Sequence, residues 1–214
     1  MESKRGLYIV IEGGDGAGTT TQKDLAVNSL CFRGENAIGV SEPGETKIGI
    51  ALRLIVKDAT IERNPETDLD IFTIQRRELV DQIIKPTVEQ GIHVVSDRNW
   101  FSTVAYQGYG EGLDYDLIYS KTYQAIGSFI VPDVAILIDV PIDVMEERIA
   151  KRGKDETETP DKFEIQDMDV KRRRREGYIY VAQQSGCFII DGSKSIPQVN
   201  GEILEIIDSK LKAA

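Results

Sequence analysis

Short apolar runs alternate with longer amphipathic stretches along this chain of 214 residues. Leu7 to Ile11 is continuously apolar, and a helix-like segment follows from about Thr19 to Phe32, ended by Gly34. Ala37 to Val40 reads as a short strand, and Ile48, Ala51, Leu52 and Ile55 then recur at helical spacing. Asn64 to Thr67 interrupts the pattern. Beyond it, Ile71, Ile74, Leu79, Ile83 and Ile84 predict a long helix from about Asp68 to Gln90, kinked or restarted at Pro86 and ended by Gly91. Ile92 to Ser96 is apolar throughout, as a strand buried on both faces of a parallel sheet is. Trp100 to Gln107 and Asp114 to Gly127 read as helices, Val134 to Val140 as a buried strand, and the stretch from Pro141 through Ile149 as a helix. Gly153 to Pro160 has no apolar period and reads as a mobile loop. About Phe163 to Gln184 is helical, Cys187 to Ile190 is a last strand and Ile196 to Leu211 a last helix. Five strands with helical crossovers predict an α/β fold, a three-layer doubly wound parallel sheet. Ligands of such sheets sit at the carboxyl ends of the strands, where Glu12, Ser41, Asp97, Asp139 and Asp191 fall.

The first of these ends opens the stretch Glu12 to Thr21, EGGDGAGTTT. Strand, glycine-rich turn and helix are the context of a phosphate-binding loop. Gly13 and Gly18 have the spacing of G-x-x-x-x-G-K-[ST], with Gly14 and Gly16 between them. Glycine permits positive φ and close backbone approach, so successive N–H groups can face one anion. The helix that follows adds its free N–H groups. Thr20 stands where the motif's hydroxyl ligand for Mg²⁺ belongs, but Thr19 stands where the motif has lysine. On this stretch alone, a turn with no ligand competes with the phosphate loop.

Further positions favour the loop. Asp97-Arg98 ends a buried strand, where an acid can hold a metal through water and an arginine can grip a phosphate in bidentate fashion. Phe72 and Arg76 share a helix face at i,i+4, which suits a stacked and hydrogen-bonded base; a core ring beside a solvated arginine is the plainer alternative. Tyr106 and Gln107 add a phenol and an amide. Arg148, Lys151, Arg152 and Lys154 surround the mobile loop, where basic groups facing phosphates can stabilise phosphoryl-transfer charge; a solvated lid is the plainer alternative. Most of the basic run Lys171 to Arg175 reads as solvated, because consecutive helical side chains point about 100° apart.

The formal net charge of −10 narrows the partners. An acidic surface repels nucleic-acid backbone and anionic membrane, and is compatible with a small anionic substrate only if cations line one cleft. Two distant cysteines fit a reduced cytosolic chain, and a single histidine in an apolar run argues against histidine triads and zinc. No long apolar span or signal peptide stands out.

Together these positions resemble the thymidylate kinases with DGAG in the phosphate loop. The family's E-G-x-D-G-A-G-K-[ST]-[ST]-Q appears as Glu12 to Gln22, with Thr19 as the exception. Its R-E-P-G-G-T appears as Ser41 to Thr46, lacking the arginine and the second glycine. Its L-F-x-x-x-R helix is met through Phe72 and Arg76. Its D-R-[YH]-x-x-S-x-x-A-Y-Q-G is met by Asp97, Arg98, Ser102 and Ala105 to Gly108, with Asn99 where an aromatic residue or histidine is usual. P-D-x-x-x-x-L-D-V is met by Pro132 to Val140, E-R-x-x-x-R-G by Glu147 to Gly153, and D-R-x-E by Asp161 to Glu164. The resemblance covers essentially the whole chain and implies one P-loop kinase domain over 1–214 with a lid at about 151–163.

It further implies phosphoryl transfer from ATP to dTMP, with Mg²⁺, in a cytoplasmic homodimer. Gly13, Gly14, Asp15, Gly16, Ala17, Gly18, Thr19, Thr20, Thr21 and Arg148 would bind ATP, and Thr20 and Asp97 the metal. Asp15, Phe72, Arg76, Asp97, Arg98, Ser102, Thr103, Tyr106, Gln107 and Glu164 would bind the monophosphate. Phe72 would stack on thymine, Arg76 would donate to its carbonyl, and Tyr106 would crowd a ribose 2′-hydroxyl. Asp15, Arg98 and Arg152 would carry the chemistry, Arg152 as the lid arginine. Thr19 and Ser41 each remove a cation, which predicts slow turnover. Lys23 lies a turn beyond the loop and is not read as a replacement; Arg152 or Lys154 is. A kinase for another deoxynucleoside monophosphate, or a weakly catalytic nucleotide-binding regulator, are the alternatives.

Overall fold

β1 (Tyr8–Glu12), β2 (Ala37–Ser41), β3 (His93–Asp97), β4 (Val134–Asp139) and β5 (Phe188–Asp191) form one all-parallel sheet in the order β2-β3-β1-β4-β5. This is seen in a computed structural model, which describes residues 5–155, 163 and 166–213. The expected doubly wound sheet is therefore present. Alternate residues of β1 feed different cores: Tyr8 and Val10 face one helical layer, Ile9 and Ile11 the other. On the second face lie α1 (Thr19–Phe32), α7 (Ile142–Asp155) and α9 (Ile196–Ala213), through Ala26, Leu30, Met145, Val199 and Ile203. On the first face lie α3 (Pro65–Leu79), α6 (Tyr115–Ile126) and α8 (Met168–Gln184), through Leu69, Leu79, Ile118 and Val181. Among the described residues no helix is long and apolar enough to cross a membrane.

Several boundaries differ from expectation, each for a local reason. Asn64 to Thr67 starts a helix rather than interrupting one. The Asn64 side chain accepts the Thr67 N–H at 2.8 Å, and Pro65 sits at the first helical position, where no N–H is needed. Pro86 acts as expected: the chain widens into a π-helical turn at Val80–Ile84 before α4 (Lys85–Glu89), because the proline ring and its missing N–H disturb the preceding turn. The helix expected over Trp100 to Gln107 is α5 (Trp100–Thr103) followed by a π-helical stretch, Val104–Gly110. Part of the expected loop at Gly153 to Pro160 is helix, since α7 reaches Asp155; 156–160 lie outside the described residues. The helix expected from Phe163 begins at Met168, where the Asp167 carboxylate accepts the Val170 N–H. α2 (Lys47–Lys57) is capped by Thr46, whose hydroxyl accepts the Gly49 N–H at 2.9 Å. Glu45, where the resembled motif has its second glycine, has φ 66°, a conformation glycine adopts at less cost.

The basic run Lys171 to Arg175 is solvated only in part. Arg172, paired with Asp169, and Arg173, which donates to two backbone carbonyls, are exposed, but Lys171 pairs with Glu146, Arg175 with both oxygens of Asp139, and Arg174 is buried. The spread of directions around the helix is real, but each direction meets a different acceptor. Arg174, Gly177, Tyr178 and Val181 recur at i, i+3, i+4 and i+7, which is the buried stripe of α8.

Gly177 lets α8 press onto the π-helical stretch that carries Tyr106. A Cβ there would lie 2.9 Å from the Ala105 Cα and 2.8 Å from the Tyr109 Cβ. Gly177→Ala is expected to lower unfolding free energy by about 1–3 kcal/mol despite the better helix propensity of alanine. Urea denaturation measures this; an unchanged midpoint would show that α8 moves aside freely.

Candidate active site

The phosphate loop has the backbone that its glycines predict. Gly16 and Gly18 have φ 85° and 92°, and the Ala17 N–H closes on the Gly14 carbonyl at 3.0 Å. No side chain caps α1, so its first N–H groups face the loop. α7 closes the loop from behind: a Cβ on Gly16 would lie 2.8 Å from the Met145 carbonyl oxygen. Gly13 is buried at the base, its would-be Cβ 2.8 Å from the Ala17 Cβ. The same position would be 3.1 Å from the Thr19 methyl, so Thr19 packs beneath the loop and does not cross it. The Thr20 hydroxyl donates to Asp97 Oδ2 at 2.5 Å, which ties the start of α1 to the end of β3. Asp97 Oδ1 is buried without a partner among the described residues.

Arg98 is the centre of the next layer. It holds φ 75°, a costly conformation for a side chain of this size, of order 1–3 kcal/mol. The backbone there is fixed from both sides, by the Arg98 N–H to the Ile11 carbonyl at 3.0 Å and by the Ser96 hydroxyl to the Arg98 carbonyl at 2.7 Å. Its guanidinium pairs with Asp15 at 2.7 Å and donates to the Tyr178 and Tyr106 hydroxyls at 3.1 and 3.3 Å, with Ser102 at 3.5 Å. The Tyr106 hydroxyl donates to the other Asp15 oxygen at 2.6 Å. Burial alone would raise the Asp15 pKa, but the Arg98 charge and the Tyr106 donor outweigh it and hold this carboxyl below its usual range. Burial raises Tyr106, which therefore keeps its proton as a donor.

Glu12 lies beneath this layer, fully buried. Its carboxylate accepts the Asn99 N–H at 2.7 Å, the Ser102 N–H at 3.2 Å and the Ser102 hydroxyl at 2.8 Å. Burial pushes its pKa up to about 7 against the pull of Arg98 and these donors. Asn99 takes up a cap instead of an aromatic wall: its side chain accepts the Phe101 N–H at 2.8 Å and starts α5.

At the far end, the Arg76 guanidinium is 2% exposed and is held by Glu42 at 2.8 Å and the Thr103 hydroxyl at 3.2 Å. Gln75 also donates to Glu42, at 3.0 Å. Burial raises the Glu42 pKa even beside Arg76. Arg76 Nη1, Glu42 Oε1 and Gln107 Nε2 are buried without partners among the described residues. The Phe72 ring stands 6.2 Å from Phe163, whose ring meets Tyr106 edge-on at 5.6 Å. Arg174 lies 4.3 Å over the Tyr106 ring and donates to the Phe163 carbonyl at 2.7 Å. Sequence reasoning missed both as parts of this wall. The α8 stripe marks Arg174 as buried, and Phe163 carried a signal only through the D-R-x-E match.

Gly14 to Thr21 and the residues from Phe72 to Arg148 predicted for the site line a single cavity of about 1220 Å³. That exceeds the roughly 300–1,000 Å³ of a typical small-molecule pocket, so two ligands fit end to end. Arg148 joins it from α7, donating to the Gly192 carbonyl at 2.9 Å. Gly13 is the one described exception, lying below the wall. The Arg152 side chain, Glu164 and 156–162 of the expected lid lie outside the described residues. The cavity carries phosphate-facing backbone, a strand-end acid and arginines at one end. Buried amide and guanidinium donors and the Phe72 ring line the other. Such a site can align two phosphorylated ligands and stabilise charge between them.

A cavity of this make on this sheet defines an enzyme of the P-loop nucleoside monophosphate kinase class. The sequence model of the thymidylate kinase family matches residues 11–203, and the chain belongs to that family. It is 32% identical over 206 residues to a thymidylate kinase of Thermosipho melanesiensis, covering 96% of this chain and 99% of the relative. It is 34% identical over 218 residues to one of Prochlorococcus marinus, covering 96% and 100%. The crystal structure of thymidylate kinase from Ehrlichia chaffeensis superposes with a TM-score of 0.75 at 30% identity, covering 95% of this chain and 99% of that one.

Glu12 supplies a test of the buried layer. Its pKa is raised from 4.5 to about 7, so between those values the folded chain holds a proton that the unfolded chain has released. Its contribution to stability is full below pH 4.5 and is lost as pH rises through about 7. Glu12→Gln removes this titration. The stability of the native chain relative to Glu12→Gln should fall on going from pH 4.5 to about 8, by roughly 1.4 kcal/mol for each pH unit that separates the two values. Urea denaturation across that range measures it, and a constant difference would show that Glu12 titrates normally.

Proposed function

We propose that the enzyme transfers the terminal phosphoryl group of ATP to dTMP, giving dTDP and ADP. The observation that carries this reading is the set of unpartnered buried groups at the base end, Arg76 Nη1 and Gln107 Nε2 beside Phe72. A pyrimidine stacked on Phe72 would offer its carbonyl to Arg76. Arg98 and Asp15 would hold the acceptor's phosphate and sugar, Ser102 and Thr103 would border it, and Tyr106 would crowd a 2′-hydroxyl. Gly14 to Thr21 and Arg148 would hold ATP, with Gly13 supporting the loop from below. Arg152 is proposed as the lid cation, Glu164 as a further substrate contact, and 151–163 as a lid over a single kinase domain. The donor set also fits Mg²⁺, because Asp97 Oδ1 is an unused buried oxygen beside the Thr20 hydroxyl. Thr20 and Asp97 would hold the ion, which supplies charge to the phosphates when bound. A cytosolic homodimer belongs to the same reading. Free Cys31 and Cys187 support the first part, and exposed Leu54, Ile74 and Tyr123 on the packed helices α2, α3 and α6 the second.

ADP release on adding single monophosphates to purified protein and Mg-ATP tests the activity. Turnover should be greatest with dTMP; a preference for dCMP or a purine monophosphate would overturn the base assignment. Arg76→Ala should weaken dTMP binding by roughly 1.5–3 kcal/mol, the scale of a hydrogen bond to a charged group. Calorimetry giving equal affinities for both forms would remove Arg76 from the site.

Thr19 sets the expected rate. Its methyl is packed beneath the loop and brings no charge to the transferring group. Loss of one preorganised donor costs about 10²–10³ in rate elsewhere. Thr19→Lys should therefore raise kcat at least about tenfold with little change in dTMP affinity. Steady-state kinetics at saturating Mg-ATP decide the matter. A native turnover already in the roughly 1–100 s⁻¹ range of kinases, with no gain from Thr19→Lys, would show that the charge comes from elsewhere.

A further inference from the structure

α1 carries one basic residue, Lys23, a turn beyond Thr19. It does not reach back into the phosphate loop. Its stem crosses β2 at Gly39, where a Cβ would lie 3.4 Å from both Lys23 Cδ and Cε. Its Nζ donates to the Ser41 hydroxyl at 3.1 Å, and the side chain is 12% exposed. Ser41 is the register partner of Asp97 on β3. Directly paired residues of neighbouring strands project to the same face. On that face Asp97 receives the Thr20 hydroxyl. The ammonium thus stands at the phosphate end of the cavity, one hydroxyl behind a wall that Ser41, Thr20 and Asp97 form.

Lys23 is held there by one hydroxyl and one solvated carboxylate. Arg98 is paired with Asp15, Arg76 with Glu42 and Lys194 with Glu202. The carboxylate on Lys23 is Asp24 at 3.2 Å, whose side chain is 62% exposed, and solvated pairs of this kind hold weakly. Three N–H donors on a four-carbon stem leave one to spare and let the head swing past Ser41. We propose that Lys23 is a phosphate-binding residue whose ammonium, steered by the Ser41 hydroxyl, neutralises a phosphate oxyanion from the β2 side of the cavity. This rests on the nucleotide reading of that cavity. The oxyanion is either the acceptor's phosphate or the terminal phosphate of ATP.

Lys23→Met keeps the stem and removes the charge. Calorimetry on both forms gives two ratios, dTMP against thymidine and ATP against ADP. One ratio should fall roughly tenfold, the scale of a lost charged hydrogen bond, while thymidine and ADP bind as before. A fall in the first ratio assigns the oxyanion to the acceptor, a fall in the second to ATP. Ser41→Arg added to Lys23→Met should restore the lost ratio by placing a cation on the same wall. Lys23→Gln is the second variant if Lys23→Met does not fold. Native protein that binds both nucleotides, with both ratios unchanged in the variant, overturns the role of Lys23 alone. Native protein that binds neither overturns the nucleotide reading and this inference with it.

Discussion

The ion pair between Arg98 and Asp15, at 2.7 Å, joins the two halves of the site. Its existence depends on β1 and β3 being neighbours, since Asp15 follows the one and Arg98 the other. A left-handed residue with a long side chain is tolerated there because its surroundings leave no alternative. Glu12 accepts the Asn99 and Ser102 N–H groups, Ile11 takes the Arg98 N–H, and Ser96 donates to its carbonyl. The guanidinium is thereby fixed before any ligand arrives, together with Tyr106 and Tyr178. Preorganisation of this kind lowers the cost of aligning a phosphate. It also explains why a buried acid with a raised pKa is kept at the end of β1. Its three donors come from Asn99, next to Arg98, and from Ser102 in α5, and a neutral apolar residue would leave them unpaired.

Much of this was legible in the chain. Strands buried on both faces are continuous apolar runs, so β1, β3 and β4 stand out, and the strand ends follow from them. The glycines of the loop, Asp97-Arg98 and the pair Phe72 and Arg76 fall at the positions where the sheet brings them together. What the sequence hid was of two kinds. One was partner choice: Arg98 could as easily have paired with Asp97 as with Asp15, and periodicity does not say which. The other was the state of a polar residue on a helix. Arg174 is charged and sits among four other cations, yet it is buried over Tyr106, because Gly177 brings α8 so close. A run of cations reads as solvated until the stripe beneath it is counted.

Boundaries failed where backbone chemistry was read with the wrong sign. Asn64-Pro65 looks like an interruption but is a cap followed by a residue that needs no donor. The stretch around Tyr106 and Gln107 has helical composition but adopts the wider π form, which presents Gln107 Nε2 unpartnered toward the base end. Single-turn π segments recur at functional sites for this reason.

Charge placement links the departures from the resembled family. An acidic chain can hold a phosphorylated ligand only where cations are gathered, and three of those lining this cavity are paired, Arg98 with Asp15, Arg76 with Glu42 and Lys194 with Glu202, while Arg53 and Arg148 donate to backbone carbonyls. Paired cations are well placed but partly neutralised, so they orient a phosphate more than they attract one. Ser41 and Thr19 stand where the family's motifs have arginine and lysine. The Thr19 methyl fills the space beneath the loop, and the Ser41 hydroxyl accepts the head of Lys23. The two replacements are therefore unlike in consequence. At position 19 charge is lost with nothing near to restore it among the described side chains of the loop. At position 41 the residue is shorter, but a lysine from the neighbouring helix reaches the same wall. Position 41 thus keeps a cation at the cavity wall, whereas the loop from Gly13 to Thr21 contains none.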